Sequence, residues 1–167
     1  MEMKQPFEKV VEGHGATVLR VCRAVVGPVD AEDVWQETFL AALRAYPDLP
    51  ADANTEAWLV TIAHRKSLDA VRAVGRRPVP VAEAPEEHSP HGIPDAERAG
   101  DGIWAKVARL PDKQRRVIAY RYLADLPFND IAEILGGSPA AARRAASDGI
   151  RSLRAALSAA QTEGESA

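Results

Sequence analysis

A stretch rich in proline, glycine and acidic residues near the middle of the chain limits what this sequence can fold into. It reads RRPVPVAEAPEEHSPHGIPDAERAGDG at 76–102 and has no apolar period. Such a composition favours a semi-extended, partly disordered connection over a packed element. We therefore assign 78–101 to a linker that joins a first domain at 1–77 to a second at 102–160. Residues 161–167 are expected to be a disordered tail.

Both flanking regions have the pattern of helices, and neither has the alternation of a β-strand. In the first domain the predicted helices lie near 6–26, 31–46 and 54–75. In the second domain they lie near 102–110, 112–124, 128–135 and 139–158. Asp30 is expected to cap the second helix, with Glu32 and Asp33 in its first turn. The expected fold is all-α: a three-helix domain and a four-helix domain with a helix-turn-helix.

Composition narrows the functional classes. No apolar run reaches about 18 residues, and the N-terminus lacks a signal-peptide pattern, so we expect a cytoplasmic protein without a membrane span. Cys22 is the only cysteine, which excludes an intramolecular disulfide and a multi-cysteine zinc site and favours a small core residue. Residues 78–102 hold six acidic and one basic residue, whereas 103–167 hold seven and ten. The second domain is therefore basic although the net charge is −3.

The C-terminal segment EILGGSPAAARRAASDGIRSLRAAL has the punctuation of a helix-turn-helix. A Gly-Gly turn is followed by Ser138 as N-cap and Pro139 at the first helical position. At 100° per residue, the apolar stripe consists of Ala142, Ala146, Ile150, Leu153 and Leu157. The residues predicted to contact duplex DNA are Ser138, Ala140, Arg143, Arg144, Ser147, Arg151 and Arg154, with Arg115 and Arg116 clamping a flanking phosphate. The alternative is an ordinary arginine-rich surface.

The helix at 31–46 has an apolar side and a mostly polar side. The apolar side consists of Val34, Trp35, Phe39, Ala42 and Leu43. The other side includes Asp33, Gln36, Glu37, Leu40 and Arg44. It is either a solvated surface or a docking surface, because an apolar anchor rimmed by acids suits a basic protein partner. A carboxylate metal site at Asp30, Asp33 and Glu37 is disfavoured, because acids at a helix start already have a structural cause.

The helix at 54–75 carries a basic stripe preceded by an aromatic residue. Such a stripe can follow a phosphate backbone while the adjacent loop, DLPADANTE, contacts bases. The residues predicted to bind nucleic acid are Asn54, Trp58, Thr61, Arg65, Lys66, Arg72 and Arg76. The alternatives are a solvated helix and, for Trp58, burial in the core. His64 lies off the apolar stripe and is expected to be a surface histidine, since no nucleophile is paired with it in sequence.

Three segments, in this order, resemble bacterial RNA polymerase sigma factors of the extracytoplasmic function (ECF) group in the sigma-70 family. They read DAEDVWQETFLAAL, AWLVTIAHRKSLDAVRA and LPDKQRRVIAYRYLADLPFNDIAEILGGSP. The resemblance covers almost the whole chain outside the linker and tail. It implies a second-region and a fourth-region domain with no globular domain between them. It also implies a promoter-specificity subunit of RNA polymerase with no active site, metal or cofactor of its own.

The resemblance further implies partners and roles for the three faces. The face with Asp33, Gln36, Glu37 and Leu40 matches the surface that docks on the β′ clamp helices of core RNA polymerase, whose β and β′ subunits are the expected partners. The helix 54–75 and its preceding loop match the part that binds and melts the −10 element and captures a flipped base. The helix-turn-helix at 128–157 matches the reader of the −35 element. An anti-sigma factor is a further partner common in the family.

Some positions depart from the family pattern. The family usually continues the turn with small-Thr-Val-Lys/Arg-Ser-Arg, where this chain has Ala140, Ala141, Ala142, Arg143, Arg144 and Ala145. Gly149 interrupts the reading helix at a cost of about 1 kcal/mol. Pro127 replaces a usual serine or threonine cap, so Asn129 is expected to cap instead. Arg65 stands where an asparagine is common. These departures motivate an alternative function, a sigma-like regulator that has lost promoter activity and works through protein contacts.

An enzyme is the third and least favoured class. The four histidines, His14, His64, His88 and His91, are scattered along the sequence. Two of them fall in the predicted linker, where no rigid scaffold would hold a catalytic site. The sequence therefore favours a binding protein over a hydrolase or a metalloenzyme.

Overall fold

The computed structural model describes residues 3–76 and 103–165, and within these ranges every regular element is a helix. The first half contains α1 (Phe7–Val26), α2 (Ala31–Ala45), a 3₁₀ turn (Tyr46–Asp48) and α3 (Thr55–Arg76). The second half contains α4 (Ile103–Val107), α5 (Asp112–Ile118) with a π-helical continuation (Ala119–Leu123), α6 (Phe128–Leu135) and α7 (Pro139–Glu165). The predicted all-α fold, with three helices followed by four, is confirmed.

Local capping explains where two of the helices begin. The Ser138 hydroxyl accepts a hydrogen bond from the backbone N–H of Ala141 at 3.1 Å, as predicted for an N-cap. The Asn54 side chain does the same for Ala57 at 3.1 Å, ahead of α3. Two predicted caps are wrong. Asp30 makes no side-chain cap bond, and Asn129 lies inside α6 because Pro127, whose backbone is extended, occupies the cap position.

One hydrophobic cluster joins the two halves of the molecule. The first half also has its own core between α1, α2 and α3, and a small cluster lies under α4 in the second half. The shared cluster contains Val21, Ala24, Val25 and Val60 from the first half and Val117, Ala119, Tyr120, Ala124, Leu126, Ile131, Ala142, Ala145 and Ala146 from the second. Because these side chains are buried together, α5 and its π-helical continuation pack directly on α1, and α6 packs on α3.

Gly149 permits a close approach between α5 and α7. A β-carbon at this position would lie 2.4 Å from Cδ1 of Ile118 and 3.5 Å from Cβ of Gln114. Ile118 is itself buried against Val107, Leu110 and Leu153. The glycine that seemed to weaken the helix therefore has a packing role.

Two assignments concern the ends of the domains. The helix α7 continues to Glu165, five residues into the segment 161–167 that was expected to be a disordered tail. The linker assigned to 78–101 lies outside the described residues. Over the described ranges, no helix combines the length and the apolar character needed to cross a membrane.

Candidate protein-docking and nucleic-acid interfaces

The polar face of α2 is exposed as predicted. Asp33, Gln36 and Glu37 are exposed, and Leu40 retains 56% of its accessible surface. Leu43, which was assigned to the buried side, is 51% exposed and was therefore predicted wrongly. Leu43 is exposed because α1 and α3 cover Val34, Phe39 and Ala42 but do not cover the side of α2 on which Leu43 lies. The result is a pair of exposed leucines bordered by acidic side chains.

The opposite side of α2 is held firmly in the first-half core. The indole N–H of Trp35 donates to the carbonyl of Gly15 on α1 at 2.9 Å, and its ring lies 4.7 Å from that of Phe39. Among the residues that the structure describes, no three His, Cys, Asp or Glu side chains converge as a metal site would require. The carboxylate alternative at Asp30, Asp33 and Glu37 therefore has no structural support.

The basic stripe of α3 is partly exposed and partly anchored. Arg65 and Arg72 are exposed, whereas Lys66 is half-buried and Arg76 ends the helix. Thr61 is half-buried, and its hydroxyl donates to the carbonyl of Ala57 at 2.7 Å.

Trp58 is half-buried and packs against the first-half core, with its ring 6.3 Å from that of Tyr46. The alternative of core packing therefore describes much of the Trp58 side chain, and the rest of it is exposed. Asn54 is exposed at the end of this loop.

A cavity of about 380 Å³ lies beside that loop. Its walls come from the N-terminal segment, the 3₁₀ turn, the loop and the first residue of α3, and they consist of Met3, Lys4, Gln5, Tyr46, Leu49, Pro50, Ala51 and Thr55. The Lys4 ammonium donates to the carbonyls of Tyr46 and Leu49, the latter at 2.6 Å, and lies 4.2 Å from the centre of the Tyr46 ring. Sequence reasoning missed Lys4, because a single lysine ahead of the first helix belongs to no periodic pattern.

The helix-turn-helix is formed by α6 and α7. The turn uses Gly136 and Gly137 at φ of 77° and 116°, backbone conformations that favour glycine. The residues predicted to contact DNA lie together on one surface of α7. Ser138, Ala140, Arg143, Arg144, Ser147, Arg151 and Arg154 are all exposed.

Some of these arginines already have partners within the protein. The Arg143 guanidinium lies 5.5 Å from the ring centre of Phe128, the first residue of α6. Arg151 lies 3.7 Å from Asp148, an exposed pair that contributes little to stability. Leu157, assigned to the apolar stripe, is 37% exposed, because α7 extends beyond the body of the second half.

The two arginines on α5 have different environments. Arg115 is half-buried; it pairs with Asp112 at 2.8 Å and donates to the carbonyl of Ala108 at 3.3 Å. Arg116 has only 2% of its surface exposed and points toward α3. The expectation that Arg116 clamps a phosphate is therefore wrong, because its guanidinium is enclosed between the two halves. The role of Arg115 stays a prediction.

His64 was predicted wrongly to lie on the surface, since it is 8% exposed. Its Nδ1 is 2.8 Å from the Tyr120 hydroxyl and 3.3 Å from Nη1 of Arg116. Burial, followed by the charge of Arg116, lowers the pKa of His64 to about 4, so the imidazole is neutral at pH 7. Burial also raises the pKa of the Cys22 thiol to about 12, which agrees with its expected place in the core.

Comparisons with known proteins identify the two halves separately. The family model Sigma-70 region 2 matches residues 10–77, and the model Sigma-70, region 4 matches residues 107–155. Among relatives, the chain is 36% identical over 153 residues to the ECF RNA polymerase sigma factor ShbA of Streptomyces griseus, covering 82% of this chain and 80% of that protein. It is 30% identical over 162 residues to SigD of Mycobacterium tuberculosis, covering 90% and 76%.

Solved structures show the same fold. CnrH, in complex with the cytosolic domain of CnrY, superposes with a TM-score of 0.65 at 24% identity, over 92% of this chain and 88% of that one. The sigma factor RpoE of Bartonella quintana, in complex with the anti-sigma factor NepR, superposes with a TM-score of 0.67 at 20% identity, over 90% and 98%. Two family models in the expected order, together with relatives that match along most of their length, show that this chain belongs to the ECF sigma factors of the sigma-70 family, the subunits that give RNA polymerase its promoter specificity.

Proposed function

We propose that this sigma factor recruits core RNA polymerase through α2, binds and melts the −10 element through α3 and its preceding loop, and reads the −35 element through α7. The observation that best supports this division is the exposure of three faces on separate helices, one acidic and two basic. The α2 face is acidic with apolar anchors, whereas the α3 and α7 faces are basic. The acidic face suits a basic protein surface, and the basic faces suit a polyanion such as DNA.

On α2, the proposed partner is the pair of clamp helices in the polymerase β′ subunit. Leu40 and Leu43 supply apolar contact area, and Asp33, Gln36 and Glu37 surround it with groups that accept hydrogen bonds from basic residues. Leu43 extends the surface beyond the four residues predicted from the sequence. Core RNA polymerase is thus the primary partner, with further contacts to its β subunit.

At the −10 element, the exposed Arg65 and Arg72 would bind phosphates while the loop ahead of α3 contacts bases. The cavity beside this loop has a volume within the range of small-molecule pockets, and the residues that line it include Lys4, Tyr46 and Thr55. A flipped base of the non-template strand is its proposed occupant. Capture of such a base would offset the free-energy cost of unstacking it and so favour melting.

At the −35 element, α7 would enter the major groove with its N-terminal turn. Arg143 and Arg144 are the side chains with donors for guanine, and Ser138, Ser147, Arg151 and Arg154 would bind nearby phosphates. Ala140 adds only an apolar contact. We therefore propose a reader that depends mostly on phosphate contacts, with one or two base-specific contacts.

An anti-sigma factor is a further proposed partner. The superposable structures of CnrH and RpoE are complexes, and the RpoE partner is an anti-sigma factor. The exposed leucines of α2 offer a surface for which such a protein would compete with polymerase.

Reconstituted transcription tests this proposal. Purified sigma factor is added to core RNA polymerase and a promoter library, and the transcripts are sequenced. The double substitution Asp33→Lys/Glu37→Lys should lower polymerase binding and transcript yield at least tenfold. The control Glu8→Lys/Glu12→Lys makes the same charge change at two exposed positions of α1 and should have no effect. Promoter-specific transcripts exclude the regulator without promoter activity, and unchanged yield in the double variant would refute the docking role of α2.

A further inference from the structure

The residues ahead of α1 form one wall of the cavity beside the loop that precedes α3. Met3, Lys4 and Gln5 supply this wall. Nζ of Lys4 donates to the carbonyls of Tyr46 and Leu49, the latter at 2.6 Å, and the Tyr46 hydroxyl donates to the carbonyl of Gln5. Because these three hydrogen bonds join residues more than 40 positions apart, they fix the segment against the 3₁₀ turn and the loop after it.

The Lys4 ammonium is held at a defined place in this wall. Its two carbonyl acceptors belong to the first residue of the 3₁₀ turn and to the residue that follows the turn. Its Nζ also lies 4.2 Å from the centre of the Tyr46 ring, which packs against Phe7 at 5.3 Å and Trp58 at 6.3 Å. Lys4 is half-buried, so its side chain has lost rotamer freedom that an exposed lysine keeps. The fold therefore fixes the position of this positive charge.

Lys4 has hydrogen-bonding capacity that these contacts do not use. An ammonium has three N–H donors and no acceptor, and the two carbonyls occupy two of the donors. Both acceptors are neutral, and among the described residues no carboxylate lies within ion-pair distance of Lys4. A ligand that enters the cavity can therefore meet one more N–H donor and a positive charge without an acidic partner.

A fixed donor of this kind distinguishes between the nucleobases. Thymine, guanine and cytosine each carry a keto oxygen, whereas adenine carries an amino group and has only ring nitrogens as acceptors. A hydrogen bond from an ammonium to an oxygen is roughly twice as strong as a bond between neutral groups. A site that is built to make such a bond discriminates strongly against a ligand that lacks the acceptor, because the polar group of the site is then left unpaired.

We propose that Lys4 is a specificity-determining residue of the −10 interaction: it donates its third N–H to the keto oxygen of the base in the cavity and thereby selects against adenine. This role rests on the proposed function, in which the cavity receives a flipped base of the non-template strand. The ligand is single-stranded DNA with thymine, guanine or cytosine at the captured position. Arg65 and Arg72 contribute affinity through phosphates and carry no direct base preference.

Binding of single-stranded DNA to the holoenzyme, formed from the full chain and core RNA polymerase, tests this role. The probes are dye-labelled non-template strands of a promoter from the transcription library, with each −10 position occupied in turn by each base or by an abasic site. Fluorescence anisotropy gives the Kd, and the captured position is the one at which the abasic site costs the most affinity. Adenine at this position should weaken binding to the wild type about tenfold relative to the preferred base. In Lys4→Met, which keeps the length of the side chain but has no donor, this ratio should approach one.

Two further variants separate selection of the base from general effects. Lys9→Met removes the same charge from an exposed position outside the cavity wall and should keep the wild-type ratio. Lys4→Arg restores a cationic donor and should recover part of the selectivity. Circular dichroism checks that each variant keeps its helices. If Lys4→Met weakened binding of all four bases equally, Lys4 would only brace the loop, and its role in selection would be overturned.

A second readout removes the oxygen from the DNA instead of the donor from the protein. 2-Aminopurine lacks the keto oxygen of guanine. At the captured position it should bind the wild type about tenfold more weakly than guanine does, and Lys4→Met should bind both equally. An equal loss in the two proteins would show that another group recognises the oxygen.

The proposed function and the role of Lys4 fail in different ways. A base preference at the captured position that survives in Lys4→Met, or a wild type that prefers adenine there, would refute the role of Lys4 and leave base capture intact. A wild type without promoter-specific transcripts, or without a base preference at any −10 position, would refute base capture and the role of Lys4 together.

Discussion

At the scale of single residues, Gly149 couples α7 to α5. Helix propensity alone favours Gly149→Ala by about 1 kcal/mol, but the added methyl group would meet Ile118 Cδ1. We expect Gly149→Ala to lower the free energy of unfolding by about 1–2 kcal/mol, because the buried isoleucine must move off its preferred rotamer. Urea denaturation monitored by circular dichroism measures this change.

Two further variants isolate the steric cause. Gly13→Ala places a methyl group on the exposed side of α1, where it meets nothing, and should raise stability by up to about 1 kcal/mol. In an Ile118→Val background, which removes Cδ1, Gly149→Ala should become neutral or stabilising. Additive effects of the two substitutions would show that the close approach does not matter.

His64 makes stability depend on pH. Its pKa is about 4 in the folded chain and about 6.5 when unfolded, so protonation favours unfolding. Burial lowers the pKa of His64 most, the charge of Arg116 on α5 lowers it further, Asp112 on α5 opposes the shift, and Arg65 on α3 adds to it. Stability is retained above pH 6.5 and should fall by about 1.4 kcal/mol per pH unit between 6.5 and 4.

Comparison with His64→Gln isolates the contribution of His64 to the pH dependence of stability. The difference in unfolding free energy between the wild type and this variant should shrink as the pH is lowered from 7 to 5. A difference that stays constant over that interval would mean that His64 is not the titrating group.

At the scale of elements, α7 presents its reading surface with few base-specific donors. Replacing both Arg143 and Arg144 by alanine should abolish dependence on the −35 sequence, since each bidentate guanine contact contributes about 1–3 kcal/mol of discrimination. The measurement is the ratio of transcript yields from promoters with native and scrambled −35 elements, which should approach one. The control Lys113→Ala should keep the wild-type ratio. If the double variant also kept that ratio, residues other than Arg143 and Arg144 would be reading the −35 sequence.

The starts of the helices, and most of their faces, could be predicted because both depend on local rules. The Ser138 cap, the Gly-Gly turn and the period of α7 act over a few residues, and the exposed arginines lie where that period places them. The failures also have physical causes. Leu43 is exposed because neighbouring helices do not reach it, and Lys4 borders the cavity through contacts more than 40 residues away in sequence.

At the scale of the whole molecule, the shared cluster predicts cooperative unfolding. Trp35 and Trp58 report on the first half, and Trp104 reports on the second. In Trp104→Phe the remaining fluorescence reports on the first half, and in Trp35→Phe/Trp58→Phe it reports on the second half. We expect the midpoints of their urea transitions to differ only by the small stability cost of each substitution. In an Arg116→Leu background, which weakens the contact between the halves, the two midpoints should separate. Midpoints already far apart without that substitution would contradict a common core.

The sequence by itself determined the helical class, the order of the two domains, the helix-turn-helix and the family, because these follow from periodicity, capping and motifs read along one chain. Only the tertiary structure decided the environments of His64, Ser67 and Arg116. The helical period gives the direction of each side chain relative to the helix axis. It does not show which other element of the fold lies in that direction. For these residues the other half of the molecule, about 50 residues away, fills that space and turns polar positions into the buried contact between the halves.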